Sequence, residues 1–142
     1  MRTQRIENPQ YLIRDRLQSR LNYVLQNAGN KKSDHLENYL GCTCEELASW
    51  IESQFSSEMN WKNKGTWNVD HVRPCASFDL TDDAQAKVCF NWRNMKPLGE
   101  FENKSKKDSY EPHNEVEWAY MMRELGYEGE LFLLFEEGRG GL

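Results

Sequence analysis

Long apolar runs are absent from this chain. No stretch of about 18 consecutive apolar residues occurs, so no helix is expected to cross a bilayer and no membrane partner is expected. The opening segment Met1–Glu7 is polar and lacks the apolar centre of a signal peptide. That predicts an intracellular setting, the cytoplasm or nucleus of a host cell, rather than secretion. The four cysteines are then expected to be reduced. They contain no Cys-x-x-Cys pair: Cys42 and Cys44 are followed by thirty intervening residues before Cys75 and thirteen more before Cys89. A zinc knuckle needs closer pairs, so buried free cysteines are expected and structural zinc is not. There is no internal repeat, no low-complexity segment, no helix-turn-helix pattern and no zinc-finger pattern.

Aromatic residues, by contrast, are plentiful. Five Trp, six Tyr and six Phe in 142 residues, with 38% hydrophobic content, describe one folded domain able to bury a core. The net charge of −5 is unevenly spread. Residues 1–32 hold seven basic and two acidic residues, a net of +5. Residues 33–110 net −4 and residues 111–142 net −6. A nucleic-acid face can therefore come from the N-terminal segment, through Arg14, Arg16 and Arg20, despite the acidic total. The plainer reading is a solvated surface of uneven charge.

Asn8-Pro9 reads as a helix start, with Asn as cap and Pro at the first helical position. Tyr11, Leu12, Leu17, Leu21, Val24, Leu25 and Ala28 then recur at helical spacing up to Gly29. A short helix is expected over 33–40. Thr43 and Glu46 form a capping-box pattern before a helix carrying Leu47, Trp50, Ile51 and Phe55 to about Ser57. Residues 59–66 read as a turn-rich link, 67–72 as a strand and 81–90 as a helix. Residues 95–98 read as a short strand, whose Pro97 suits an edge. A short helix over 100–107, a helix over 115–125 and a strand over 130–135 complete the expectation. Three regions follow: 1–60, helical and able to contact DNA; 61–110, a core; and 111–142, an acidic helix with a short strand, available to a protein partner or a second copy.

The chemistry concentrates in Trp67-Asn68-Val69-Asp70-His71-Val72-Arg73-Pro74-Cys75-Ala76-Ser77-Phe78. It continues in Asn94-Met95-Lys96-Pro97-Leu98 and in Glu102-Asn103-Lys104-Ser105-Lys106-Lys107. Phosphodiester hydrolysis needs a cation to neutralise charge on the phosphate and a base to activate water. Histidine suits the base, because an unperturbed imidazole is largely neutral at pH 7. Aspartate and amide oxygens suit Mg²⁺.

These segments resemble HNH endonucleases of the ββα-metal kind, in the H-N-N variant found in small proteins of phages and large DNA viruses. The resemblance runs over roughly residues 8–108. It implies an α+β fold: a ββα-metal (His-Me finger) core flanked by N-terminal and C-terminal helices. It implies metal-dependent cleavage of DNA, with Mg²⁺, or Mn²⁺ in its place. His71 matches the general base and Asp70 the preceding metal ligand. Asn94 matches the middle Asn that holds the loop so that the His ring meets the phosphate, and Asn103 matches the second metal ligand. Arg73, Lys104, Lys106 and Lys107 fall where phosphate contacts are expected. The last motif position is Asn rather than His, and no His stands near Asn91, where relatives often carry one. The competing reading keeps the HNH shape without catalysis, as a nucleic-acid-binding or structural protein, with His71 a satisfied core residue. Trp92, nearest the motif, is read first as a core aromatic and second as a platform for a base. One stereochemical condition attaches to the assignment. Neighbours in a regular strand point to opposite faces, so Asp70 and His71 share a site only where the strand bends or ends between them.

Overall fold

The computed structural model describes residues 8–100, 102 and 109–135, with 64 and 65 described in their backbone only. Within them lie five α-helices and one two-stranded antiparallel sheet, a mixed α+β fold. The helices are α1 (Pro9–Asn27), α2 (Leu36–Leu40), α3 (Cys44–Ser53), α4 (Asp83–Cys89) and α5 (Pro112–Glu124). The strands are β1 (Trp67–His71) and β2 (Met95–Gly99), preceded by 3₁₀ turns at Trp61–Thr66 and Trp92–Asn94. None of the helices among the described residues is long and apolar enough to cross a membrane.

The start of α1 is set as its sequence dictates: the Asn8 side chain accepts the Gln10 N–H, and Pro9 sits where no N–H is needed. Its buried stripe is Ile13, Leu17, Leu21 and Leu25, a strict four-residue spacing. Tyr11, expected on that stripe, is 41% exposed; Ile13 takes the place. Each buried aliphatic side chain contributes roughly 1.5–3 kcal/mol before chain entropy is charged. The stripe packs on α3, whose capping box between Thr43 and Glu46 is fully formed. That helix stops at Ser53, four residues short of expectation. Phe55 instead enters an aromatic cluster with Trp61 and Trp67, at centroid distances of 5.1 and 4.9 Å.

Between α2 and α3 the chain turns at Gly41, whose φ is +74°. A Cβ there would lie 2.9 Å from Asn91 Nδ2 as well as in the left-handed region. Gly41→Ala is therefore expected to destabilise the protein by about 1–2 kcal/mol, read as a lower midpoint in urea. A shift within error would show that Asn91 yields at no cost.

The sheet runs in register from Trp67↔Gly99 to His71↔Met95. Among the described residues each strand is paired on one side only, which leaves room for Pro97, opposite Val69. The Trp50 indole N–H donates to Met95 O at 3.0 Å and ties the sheet to α3.

The C-terminal segment departs from expectation. Residues 131–134 form no strand, and Phe132 has φ of 54°. Side chains take the place of a strand partner. Arg73 donates to Leu131 O and Phe132 O, both at 2.9 Å. The Glu115 carboxylate accepts from Leu134 N at 2.8 Å and Phe135 N at 2.9 Å. With these backbone groups satisfied by buried charges, the segment needs no ladder.

Candidate functional site

Alternation along β1 sends Trp67, Val69 and His71 to one face and Asn68 and Asp70 to the other. Pairing stays regular through His71↔Met95, and Val72 N still donates to Asn94 O at 2.8 Å. No bend intervenes, so Asp70 and His71 leave the strand on opposite faces. Asp70 is half-buried, across from Lys96. His71 is 2% exposed, its ring edge-on to Phe90 at 4.9 Å between centroids.

Asn94 is fully buried, and its amide makes four hydrogen bonds. Oδ1 accepts from Arg73 N at 2.8 Å and from Trp118 Nε1 at 2.9 Å. Nδ2 donates to Arg73 O at 3.1 Å and to Cys89 O at 2.9 Å. One side chain thus clamps both backbone groups of the residue two after His71 and joins them to the end of α4 and to α5. A single amide can do this because it carries both donors and acceptors in one plane.

On the other side of His71 lie two cysteines. The Cys75 Sγ stands 3.7 Å from each ring nitrogen of His71, and the Cys89 Sγ donates to it at 3.3 Å. The thiol of Cys89, by donating, holds Cys75 well below the ordinary thiol range, and His71 and Arg20 act in the same direction. Burial pushes Cys89 the opposite way. All four cysteines are free. Sequence spacing could not reveal this cluster, because Cys75 and Cys89 meet only when α4 folds back beside the end of β1.

The arginines divide. Arg16 Nη1 donates to Asn68 Oδ1 at 2.9 Å, and Arg16, Arg20 and Asn68 line a groove of about 630 Å³ between α1 and β1. Arg16 thus reaches the Asn68 side of β1, while Arg20 lies near enough to Cys75 and Cys89 to favour their thiolates. Arg14 instead pairs with Glu37 at 3.4 Å. Arg73 corrects the expectation of a phosphate contact. Its side chain is fully buried, with its guanidinium 3.9 Å above the Phe78 ring and hydrogen-bonded to Ser77, Leu131 and Phe132. No phosphate reaches it there. Trp92 is half-buried and packs edge-on against Trp50 at 5.1 Å, as a packing aromatic. Asn103, Lys104, Lys106 and Lys107 lie outside the described residues, as does most of the helix expected over 100–107.

Two donor sets are therefore on hand. The Asp70 face offers hard oxygens of the kind Mg²⁺ takes. The His71 face offers one imidazole and two thiols, whose ligand atoms all lie within 4.8 Å of one another.

Two uncharacterized proteins of Acanthamoeba polyphaga mimivirus are similar to this chain. One is 43% identical over 97 residues, covering 68% of this chain and 42% of its own length. The other is 33% identical over 126 residues, covering 84% of this chain and 54% of its own length. The chain thus spans about half the length of the curated relatives it matches. No family model matches the sequence, and no solved structure matches it.

Proposed function

We propose that this chain is a metal-dependent endonuclease of the HNH kind that hydrolyses DNA phosphodiesters. The observation that carries the reading is the Asn94 clamp. It fixes the backbone just beyond Asp70-His71 and opens the second strand of an antiparallel pair, where a middle Asn of such a site would act. The acidic oxygens at Asp70 and the groove between α1 and β1 that carries Arg16 and Arg20 add to it.

In this reading Asp70, with Asn103, would hold Mg²⁺ or Mn²⁺; because β1 ends at His71, a phosphate lying across that end would meet the ion from one face of the strand and the imidazole from the other. A cation held there neutralises charge on the phosphate and on the leaving oxygen. The His71 imidazole would take a proton from water, and the water oxygen would attack phosphorus. The bond to the 3′ oxygen would break, and that oxygen would take a proton from solvent water, giving a 5′-phosphate and a 3′-hydroxyl, while the proton on His71 returns to solvent. His71 is 2% exposed in the free protein, so productive binding must bring water and phosphate to its ring at the end of β1.

The test is nicking of supercoiled plasmid with Mg²⁺ or Mn²⁺. His71→Ala is expected to lose about 100-fold or more, the ordinary contribution of a general base. EDTA is expected to abolish cleavage. Circular dichroism of the variant guards against simple unfolding of a buried position. Equal cleavage by wild type and folded His71→Ala would sink the assignment. The burial of His71 favours one other reading, a nucleic-acid-binding protein without catalysis. DNA binding with no cleavage under either metal would select it.

A further inference from the structure

We propose that His71, Cys75 and Cys89 form a second metal site, for a thiophilic divalent cation of the zinc class, and that filling it withdraws His71 from cleavage. The regulatory half rests on the nuclease reading; the site itself does not.

The donors come from three elements: the last residue of β1, the first residue of the 3₁₀ turn Cys75–Ser77, and the last residue of α4. Zinc binds sulfur at about 2.3 Å and imidazole nitrogen at about 2.0 Å, so tetrahedral neighbours stand roughly 3.4–3.8 Å apart. The two sulfurs are 3.3 Å apart, and the Cys75 Sγ is 3.7 Å from both His71 nitrogens. The Cys75–His71 spacing matches that of a bound ion, the two sulfurs stand slightly closer, and all three donors lie within 4.8 Å, so a small outward shift of the thiols admits the ion. Both ring nitrogens stand at the same distance from the Cys75 sulfur, so a small rotation of the ring brings one lone pair to an ion between them.

Donor chemistry selects the ion. Two thiols and an imidazole favour zinc over Mg²⁺, which prefers oxygen and keeps its waters. The faces of β1 keep the two cations apart, with hard oxygens on the Asp70 side and soft donors on the His71 side. Access selects the geometry. Cys89 is fully buried and His71 nearly so, while Cys75 is half-buried. An ion therefore enters past Cys75, and the fourth coordination position faces that opening. The frame is rigid, since Asn94 holds Cys89 O and Phe90 flanks the imidazole.

The consequence for cleavage follows from the lone pairs. A neutral imidazole has one acceptor nitrogen. Donated to a cation, that lone pair cannot receive a proton from water. Zinc at this site and a working base at His71 are mutually exclusive.

Cobalt is the probe, because Co²⁺ bound to thiolate absorbs in the near ultraviolet. The full chain, kept reduced with a phosphine, is titrated with Co²⁺ and then with Zn²⁺. A charge-transfer band is expected, displaced by Zn²⁺. It should be lost in Cys75→Ser and in Cys89→Ser and retained in Cys42→Ser and Cys44→Ser. Competition with a chelating dye should show zinc affinity falling by at least about tenfold in each of the first two variants, since even outer-shell changes cost that much. No band in wild type, or a band that survives both Cys75→Ser and Cys89→Ser, overturns the site. Zinc is then added to Mg²⁺-supported plasmid nicking, and the rate with zinc is divided by the rate without it for each protein. Wild type is expected to fall about tenfold or more while the Cys75→Ser ratio stays near unity, the same affinity loss read through activity. An active wild type indifferent to zinc overturns the regulatory half. A cobalt band without cleavage under any metal overturns the nuclease reading and leaves the site standing.

Discussion

Asn94→Ala is expected to lower the stability of this protein by about 4 kcal/mol or more. The amide is fully buried, and its removal orphans two donors, Arg73 N and Trp118 Nε1, and two acceptors, Arg73 O and Cys89 O. Each buried polar group left without a partner costs roughly 1–3 kcal/mol, far more than the net gain of an ordinary hydrogen bond. A domain of this kind is stable by about 5–15 kcal/mol in total, so the variant stands near the edge of unfolding. Asn94→Asp should fall between wild type and Ala. Its carboxylate still accepts from Arg73 N and Trp118 Nε1 but cannot donate to the two carbonyls. Urea denaturation followed by tryptophan fluorescence measures both, and Trp118 reports on the site directly. A loss under about 1 kcal/mol for Asn94→Ala would mean that water replaces the amide and that the loop after His71 is held by something else.

Arg73→Met is expected to cost about 3–5 kcal/mol, the usual result of leaving one partner of a buried ion pair uncompensated. Arg73 Nη1 and Glu115 Oε1 are 4.0 Å apart with both side chains fully buried. The direct attraction is only part of the effect. Arg73 holds two carbonyls of the C-terminal segment and the Ser77 oxygens, and Glu115 holds two amides a few residues further on. Loss of either charge therefore loosens residues 131–135. Arg73→Lys should retain part of the stability, because a point charge cannot fork to several acceptors at once. Arg73→Met combined with Glu115→Leu should be less destabilised than the sum of the single changes, since no lone charge is then buried. Additive losses would show that the two residues act independently. Limited proteolysis near residue 131 gives a second readout: cleavage there should rise in Arg73→Met before global unfolding sets in.

The buried pair also bears on the acidic C-terminal region. Glu115 looks, by composition, like one of eight surface acids able to meet a partner. It is instead a core residue, with its oxygens taken by backbone amides and by Tyr110. Charge counted along a sequence does not say which charges face water.

Local patterns in the chain determined much of the architecture. The Asn8-Pro9 start, the Thr43/Glu46 box and the four-residue apolar spacing of α1 act through neighbours within one helical turn, so they are readable without the fold. The two strands were readable for a similar reason, as short strand-like segments, the first stopped by Pro74. Asp70, His71 and Asn94 stood out through the resemblance to HNH endonucleases rather than through any local pattern. Tertiary structure decided the rest. Residues 131–134 are apolar enough for a strand, but Arg73 and Glu115 supply their hydrogen bonds from elsewhere. Arg73 sits between two motif residues and carries the charge a phosphate would want, yet packing against Phe78 and Trp118 buries it. Asp70 and His71 adjoin in sequence, yet unbroken pairing to β2 turns them apart. Cys75 and Cys89 have no metal spacing, yet the return of α4 sets them beside His71. Each of these outcomes depends on contacts between residues distant in the chain, and no local pattern encodes them.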